Sequence, residues 1–167
     1  MIGNALQVIR FLATQKPDIE WEIKKHRRKR SLSQNSYYWQ LVSQIADAAR
    51  VPKEQVHNEM LRSYGQLDRV VGKLVTVPIP DTEEAEQEVL RSMKYHIRPT
   101  SQVRAGDKGE LYRTYVFLKG SHELNTEEMS ILLDGTVHEA QNMGIETLKP
   151  AELEAMKLAE HSSVKRT

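Results

Sequence analysis

Cysteine is absent from the 167 residues, which removes disulfides, thiolate catalysis and thiolate-bound metals together. No apolar run approaches the roughly 18 residues that a membrane span needs, so no membrane partner is expected. Met1 to Leu12 carries Asn4 and Arg10 and lacks a basic start followed by an unbroken apolar stretch, so no signal peptide is read. Together these absences fit a cytoplasmic protein. Phosphate-binding glycine loops and dinucleotide fingerprints are missing as well. The six histidines, His26, His57, His96, His122, His138 and His161, are scattered, and none has the His-x-x-x-His spacing that sets two metal ligands on one helix face. Asp134 and His138 stand four residues apart and read as a surface pair. The expectation is a protein without cofactor, metal site or catalytic residues.

The 39% hydrophobic and 28% charged residues are those of a globular domain with a proper core. Ile2, Leu6, Ile9 and Ala13 recur at helical spacing, and Pro17 follows as a stop. Ile19, Trp21 and Ile23 alternate with polar residues as in a half-buried strand. Ser31 or Ser33 caps a helix whose stripe is Tyr38, Leu41, Val42, Ile45 and Ala49, and Gln34 completes a capping box with Ser31. Pro52 opens another helix and Gly65 closes it. Val70 to Ile79, rich in β-branched residues, reads as one strand closed by Pro78 and Pro80. An acidic segment from Thr82 to Met93 forms a short helix starting at Asp81 or Thr82.

Tyr95–Val103 and Leu111–Leu118 flank Gly106-Asp107-Lys108-Gly109 and predict a hairpin. Its second strand is apolar on both faces, as expected of an inner strand. Asn125 with Glu128 forms a capping box and Leu124 with Met129 a hydrophobic staple, opening a helix that Gly144 ends. A last helix follows Pro150. The prediction is an α+β fold, a small antiparallel-rich sheet packed by four to five helices. It forms one domain over residues 1–160, with a frayed tail over 161–167.

A net charge of +1 conceals segregation. Residues 1–30 hold eight Lys/Arg against three acids, and residues 93–120 six against two. Residues 76–92 reverse this with one against five, and residues 121–167 with four against nine. The densest stretch is Lys24-Lys25-His26-Arg27-Arg28-Lys29-Arg30, six Lys/Arg in seven residues, running into Gln34, Asn35, Tyr37, Tyr38 and Trp39. A run without acids that ends at a helix N-terminus suits a polyanion: the side chains release counterions and free backbone N–H groups bind phosphate. Lys24, Lys25, Arg27, Arg28, Lys29 and Arg30 are the expected phosphate contacts, with Gln34 and Asn35 beside them. Tyr37 reads as exposed, either as a stacking platform for single-strand bases or as an ordinary surface or subunit contact. Lys94, Arg98, Arg104, Lys108 and Arg113 surround the predicted hairpin and read equally as phosphate contacts, with Arg104 and Arg113 as the second-tier set, or as charges that guard edge strands against aggregation.

Arg30-Ser31-Leu32-Ser33-Gln34-Asn35 followed by Trp39 resembles the Arg-Ser-Leu-x-Gln-Asn-x-x-x-Trp signature of phage recombination proteins of the NinB or Orf type. The order of helix, proline break, strand and basic run before it, and residues Asn125 to Met156 after it, are similar to that family too. It looks like the version in phages and prophages of Gram-positive bacteria. The resemblance implies a non-catalytic recombination mediator that binds single-stranded DNA in the bacterial host cell. It also implies a homodimer that works with a host or phage single-strand-binding protein and helps load a recombinase or annealing protein. Ser33 departs from the Asp common in the family; both residues cap helices. The signature itself admits a structural reading, with the serines capping and Asn35 and Trp39 packing. Two rival functions stay open: a metal-dependent DNA nuclease using carboxylates such as Asp81, Glu83 or Asp134, and a protein-interaction adaptor whose acidic C-terminal region meets a basic partner.

Overall fold

The computed structural model describes residues 5–16 and 32–164, and the predicted strand at Ile19–Lys24 and the basic run lie outside them. The fold is α+β, with six helices and two small antiparallel sheets among the described residues. In chain order the elements are α1 (Ala5–Leu12), α2 (Leu32–Ala49), α3 (Lys53–Tyr64), β1 (Arg69–Val70), β2 (Lys73–Leu74), β3 (Thr76–Pro80), α4 (Glu83–Arg91), β4 (His96–Ala105), β5 (Leu111–Leu118), α5 (Thr126–Asn142) and α6 (Pro150–Val164). This is one helix more than the four to five expected. The last helix continues to Val164, into the segment expected to fray. In α1, Ile9 is 62% exposed, so the predicted stripe is not buried at that position.

Local signals set most boundaries. The Asn125 side-chain oxygen accepts from Glu128 N at 2.9 Å and the Glu128 carboxylate accepts from Asn125 N at 3.0 Å, the predicted capping box. Leu124 and Met129 are both buried, as the staple requires. Thr82 caps α4 by accepting from Ala85 N. The main core joins α2, α3 and α5 through Tyr38, Leu41, Leu61, Met129, Leu132 and Leu133, all fully buried. Close approach of α3 to α5 rests on Gly135: a Cβ there would lie 2.2 Å from Cγ of Tyr64.

The larger sheet has the order β3-β5-β4, so β5 is the inner strand that its two apolar faces predicted. One face, with Val77, Ile79, Tyr115, Phe117 and Ile97, packs with Val89 of α4 into a second, smaller core. The stretch Val70–Ile79 is not one strand. Residues 66–68 pair beside the end of β5, where Leu67 bridges Leu118 and Asp68 N donates to Phe117 O at 2.9 Å. The chain then leaves the sheet as the β1–β2 hairpin and returns where Phe117 N donates to Val75 O at 3.1 Å. Val71 (φ 50°) and Gly72 (φ 77°) make the reversal. β-branched composition carries no trace of this break, because Val70, Val71 and Val75 read as strand whether the chain turns or not.

β3 forms the sheet's outer edge and carries Pro78 and Pro80. Val75 and Asp81 bond inward to β5, so by alternation positions 76, 78 and 80 point their backbone nitrogens outward. Proline there costs no ladder bond and denies the edge to another strand.

Candidate nucleic-acid interface

Paired residues in an antiparallel ladder share a face. Tyr112, Thr114 and Val116 therefore run along one face of β5, with Pro80, Pro78 and Thr76 beside them on β3 and Arg104 and Arg98 opposite Tyr112 and Val116 on β4. The face is closed at the Leu118 and His96 end, where both side chains are buried, and opens toward Tyr112 and Arg104. Thr76, Pro78, Pro80 and Arg104 are exposed, and Thr114 and Tyr112 are half-buried. At the open end Glu110, two residues before Tyr112 on the same face, sets an acid beside the ring. A tyrosine ring, an arginine directly across from it and small flat neighbours make a surface on which a base can stack beside a bound phosphate. The Tyr112 ring edge and the Glu110 carboxylate both lie over the turn at Gly106.

The register that puts Arg104 there contains a bulge. Pro99 pairs with Tyr115 but Val103 pairs with Arg113, so β4 has two residues more than β5 over this interval. Thr100 Oγ1 donates to Thr114 O at 2.7 Å and accepts from Gln102 N at 3.2 Å. Arg113 Nη1 donates to the Thr100 carbonyl at 3.0 Å.

The expected site residues divide sharply. Lys24, Lys25, Arg27, Arg28, Lys29 and Arg30 lie outside the described residues. Gln34 is fully buried and its Nε2 donates to Ser130 on α5 at 3.4 Å, so it packs helices and is not open to a strand of DNA. Asn35 is half-buried, with its side-chain oxygen unpartnered among the described residues. Tyr37 is 9% exposed, and its hydroxyl accepts from Leu148 N at 2.7 Å, which corrects its reading as an exposed stacking ring. The reason is that α2 packs against α3, α5 and α6 at once, so its buried arc is wider than a single stripe. Trp39 stacks on His57 with centroids 4.6 Å apart.

Arg104 is exposed, as a contact must be. Arg113 is not available: Nε and Nη2 hold both Asp81 oxygens at 2.8 and 3.1 Å, and Nη1 is taken by Thr100. Sequence reasoning missed Tyr112, although its alternation with Arg113 across the predicted hairpin placed it on the other face. It also missed Arg69 and Lys73, exposed on β1 and β2.

Beneath the sheet's other face a cleft of about 330 Å³ is lined by Asp81, Thr82, Glu86, Pro99, Thr100, Arg113 and Tyr115. Its ionisable groups pair with one another or with Arg62, whose Nη2 has no partner among the described residues. Burial would raise the Glu86 carboxyl, but bonds from Arg62 and Tyr115 and the charges of Arg62 and Arg113 hold it below the usual range. Burial, with the Glu86 bond, pushes the Tyr115 hydroxyl up to about 12. Of the carboxylates considered for a nuclease, Asp81 is bound to Arg113 and Asp134 to Lys157. Among the described residues no three His, Asp or Glu side chains converge as a metal site.

A buried polar chain links the helices to the sheet. The Tyr38 hydroxyl and His57 Nδ1 share a 2.6 Å hydrogen bond, and the His57 and His96 rings meet edge-on at 5.0 Å. Asn58 Nδ2 donates to Leu90 O and Ser92 O at 2.8 and 2.7 Å. That orients its Oδ1 to accept from His96 Nδ1 at 2.7 Å, leaving Nε2 as the unprotonated nitrogen of a neutral ring. Burial, then the neighbouring His96 and His122, lowers His57 to about 3; burial, then His122, lowers His96 against the pull of Glu123.

No helix among the described residues is long and apolar enough to cross a membrane. The chain matches no protein-family model, no curated protein and no solved structure.

Proposed function

We propose that this protein binds single-stranded DNA without catalysing a reaction on it and acts as a recombination mediator of the phage type its helix-start signature resembles. The observation that carries the reading is the open sheet face, where Arg104 stands directly opposite Tyr112. The Lys24–Arg30 run adds a second cationic segment of the density that polyanion-binding proteins use. In this reading the protein works in the cytoplasm of a bacterial host cell, as a homodimer and alongside a single-strand-binding protein.

Fluorescence anisotropy of a labelled single-stranded oligonucleotide, titrated at several salt concentrations without divalent metal, tests it. Affinity should fall steeply as salt rises. Tyr112→Ala should weaken binding by about 1–3 kcal/mol, the range for one stacked base. Changing Arg27, Arg28 and Arg30 together to Ala, with folding verified by circular dichroism, should flatten the salt slope by about one unit for each phosphate no longer neutralised. No binding at low salt refutes the reading. The partner of the basic run would then be sought among acidic proteins.

A further inference from the structure

The β1–β2 hairpin is an outgrowth of the sheet edge, and both of its roots are bonded to one residue: Asp68 N donates to Phe117 O, and Phe117 N donates to Val75 O. All six residues from Arg69 to Leu74 are exposed. At the tip Val71 is 96% exposed and Val70 57%. Arg69 pairs with Leu74 and Val70 with Lys73, so each face of this short ribbon presents one apolar and one cationic side chain. No acid lies between Arg69 and Leu74.

The tip also violates local preference. A two-residue reversal with positive φ at both positions is the type I′ turn, for which Asn-Gly is the favoured pair. Here the first position is valine at φ 50°, where a β-branched side chain is strained. Asparagine would relieve the strain and leave less apolar surface in water. An exposed, strained valine at the end of a projecting cationic ribbon is therefore poorly accounted for by stability or solubility.

We propose that this hairpin is a wedge that sets Val71 against the face of an unstacked base while Arg69 and Lys73 engage the flanking phosphates. Base faces are apolar and base-step wedges elsewhere are apolar side chains such as Phe, Leu, Ile, Met and Pro, a class of side chain to which the exposed valine belongs. A protein partner fits less well: a stable protein interface needs about 800 Å² per partner, far more than a six-residue tip offers. Arg69, whose Nη1 also donates to the Gly72 carbonyl at 3.2 Å, and Lys73 stand without an acid between them and match a phosphate backbone. The proposal rests on the nucleic-acid reading above and extends it to a second contact, on the hairpin that projects from the edge of that sheet.

The test is Val71→Asn in the full-length protein, with Val71→Gly as a second variant that also accepts positive φ. The probe is a duplex with a single-stranded overhang carrying 2-aminopurine at the junction. Wild type should raise the 2-aminopurine fluorescence by unstacking the base. Both variants should lose that rise and bind about tenfold more weakly, the loss expected when one aliphatic side chain no longer leaves water. Thermal midpoints should be equal to or above that of wild type, which separates weakened binding from a damaged fold. Unchanged affinity and fluorescence in both variants overturns the wedge, and if Tyr112→Ala still weakens binding, the nucleic-acid reading survives that result. Wild type that binds no oligonucleotide overturns both.

Discussion

His57 is 1% exposed, wedged between Tyr38, Trp39 and His96, and it makes the fold's stability fall in mild acid. Its pKa drops from 6.5 in the unfolded chain to about 3 in the folded one, first because burial disfavours the imidazolium and then because His96 and His122 oppose another positive charge. A group with a depressed folded pKa binds more protons unfolded than folded between those two values. Its stabilisation is therefore complete above pH 6.5 and drains away as the pH falls toward 3. At pH 5 the unfolded histidine is protonated and the folded one is not. The gap of 1.5 units below 6.5, at about 1.4 kcal/mol per unit, makes the loss from pH 7 about 2 kcal/mol. His96, lowered in the same direction, adds to it. Carboxylates contribute little here because their unfolded pKa values lie near 4. Urea unfolding at pH 7 and pH 5 measures the difference. The double variant Tyr38→Phe/His57→Phe removes the titrating ring and its hydrogen-bond partner together, leaving no orphaned buried group, and should flatten the pH dependence by about 2 kcal/mol. Equal wild-type stability at the two pH values, or the same acid loss in the double variant, refutes the reasoning.

Two further substitutions probe the helical core. Tyr37→Phe removes the acceptor of the Leu148 N–H and should cost about 1 kcal/mol in urea unfolding while leaving oligonucleotide affinity unchanged, since the ring packs between helices. Gly135→Ala forces a methyl group into the Tyr64 ring; overpacking of this kind should cost about 1–3 kcal/mol, read from the same unfolding curves.

Features decided by near neighbours in the chain are legible from the residues alone. The Asn125 capping box, the Thr82 cap and the hairpin about Gly106–Gly109 each depend on residues a few positions apart, and each forms. Features that escape such reading depend on distant partners. Tyr37 meets Leu148 across 111 residues and Gln34 meets Ser130 across 96, so α2 looks one-sided in sequence and is buried on a wider arc in the fold. Arg113 looks like a free cation until Asp81, 32 residues earlier, is placed beside it.

Arg104 and Arg113 show why composition alone cannot rank two arginines of one hairpin. Continuing the regular register from Pro99 and Tyr115 would set Gln102 opposite Tyr112; the two extra residues of the bulge bring Arg104 there instead. A bulge that re-aims a side chain beside a binding surface is a recurrent use of the device. Arg113 stabilises it from the opposite face, joining the Thr100 carbonyl to Asp81. Arg104 is thus the proposed phosphate contact and Arg113 a positioning residue acting through it. The two roles separate in a salt titration. Arg104→Ala should lower affinity and reduce the log–log salt slope by about one, because one counterion fewer is released. Arg113→Ala should lower affinity by loosening the register yet leave the slope near its wild-type value, and Asp81→Asn should follow it in the same direction more weakly. A slope that falls as much for Arg113→Ala as for Arg104→Ala would mean that Arg113 reaches the phosphate itself, and the division of labour drawn from the bulge would be wrong.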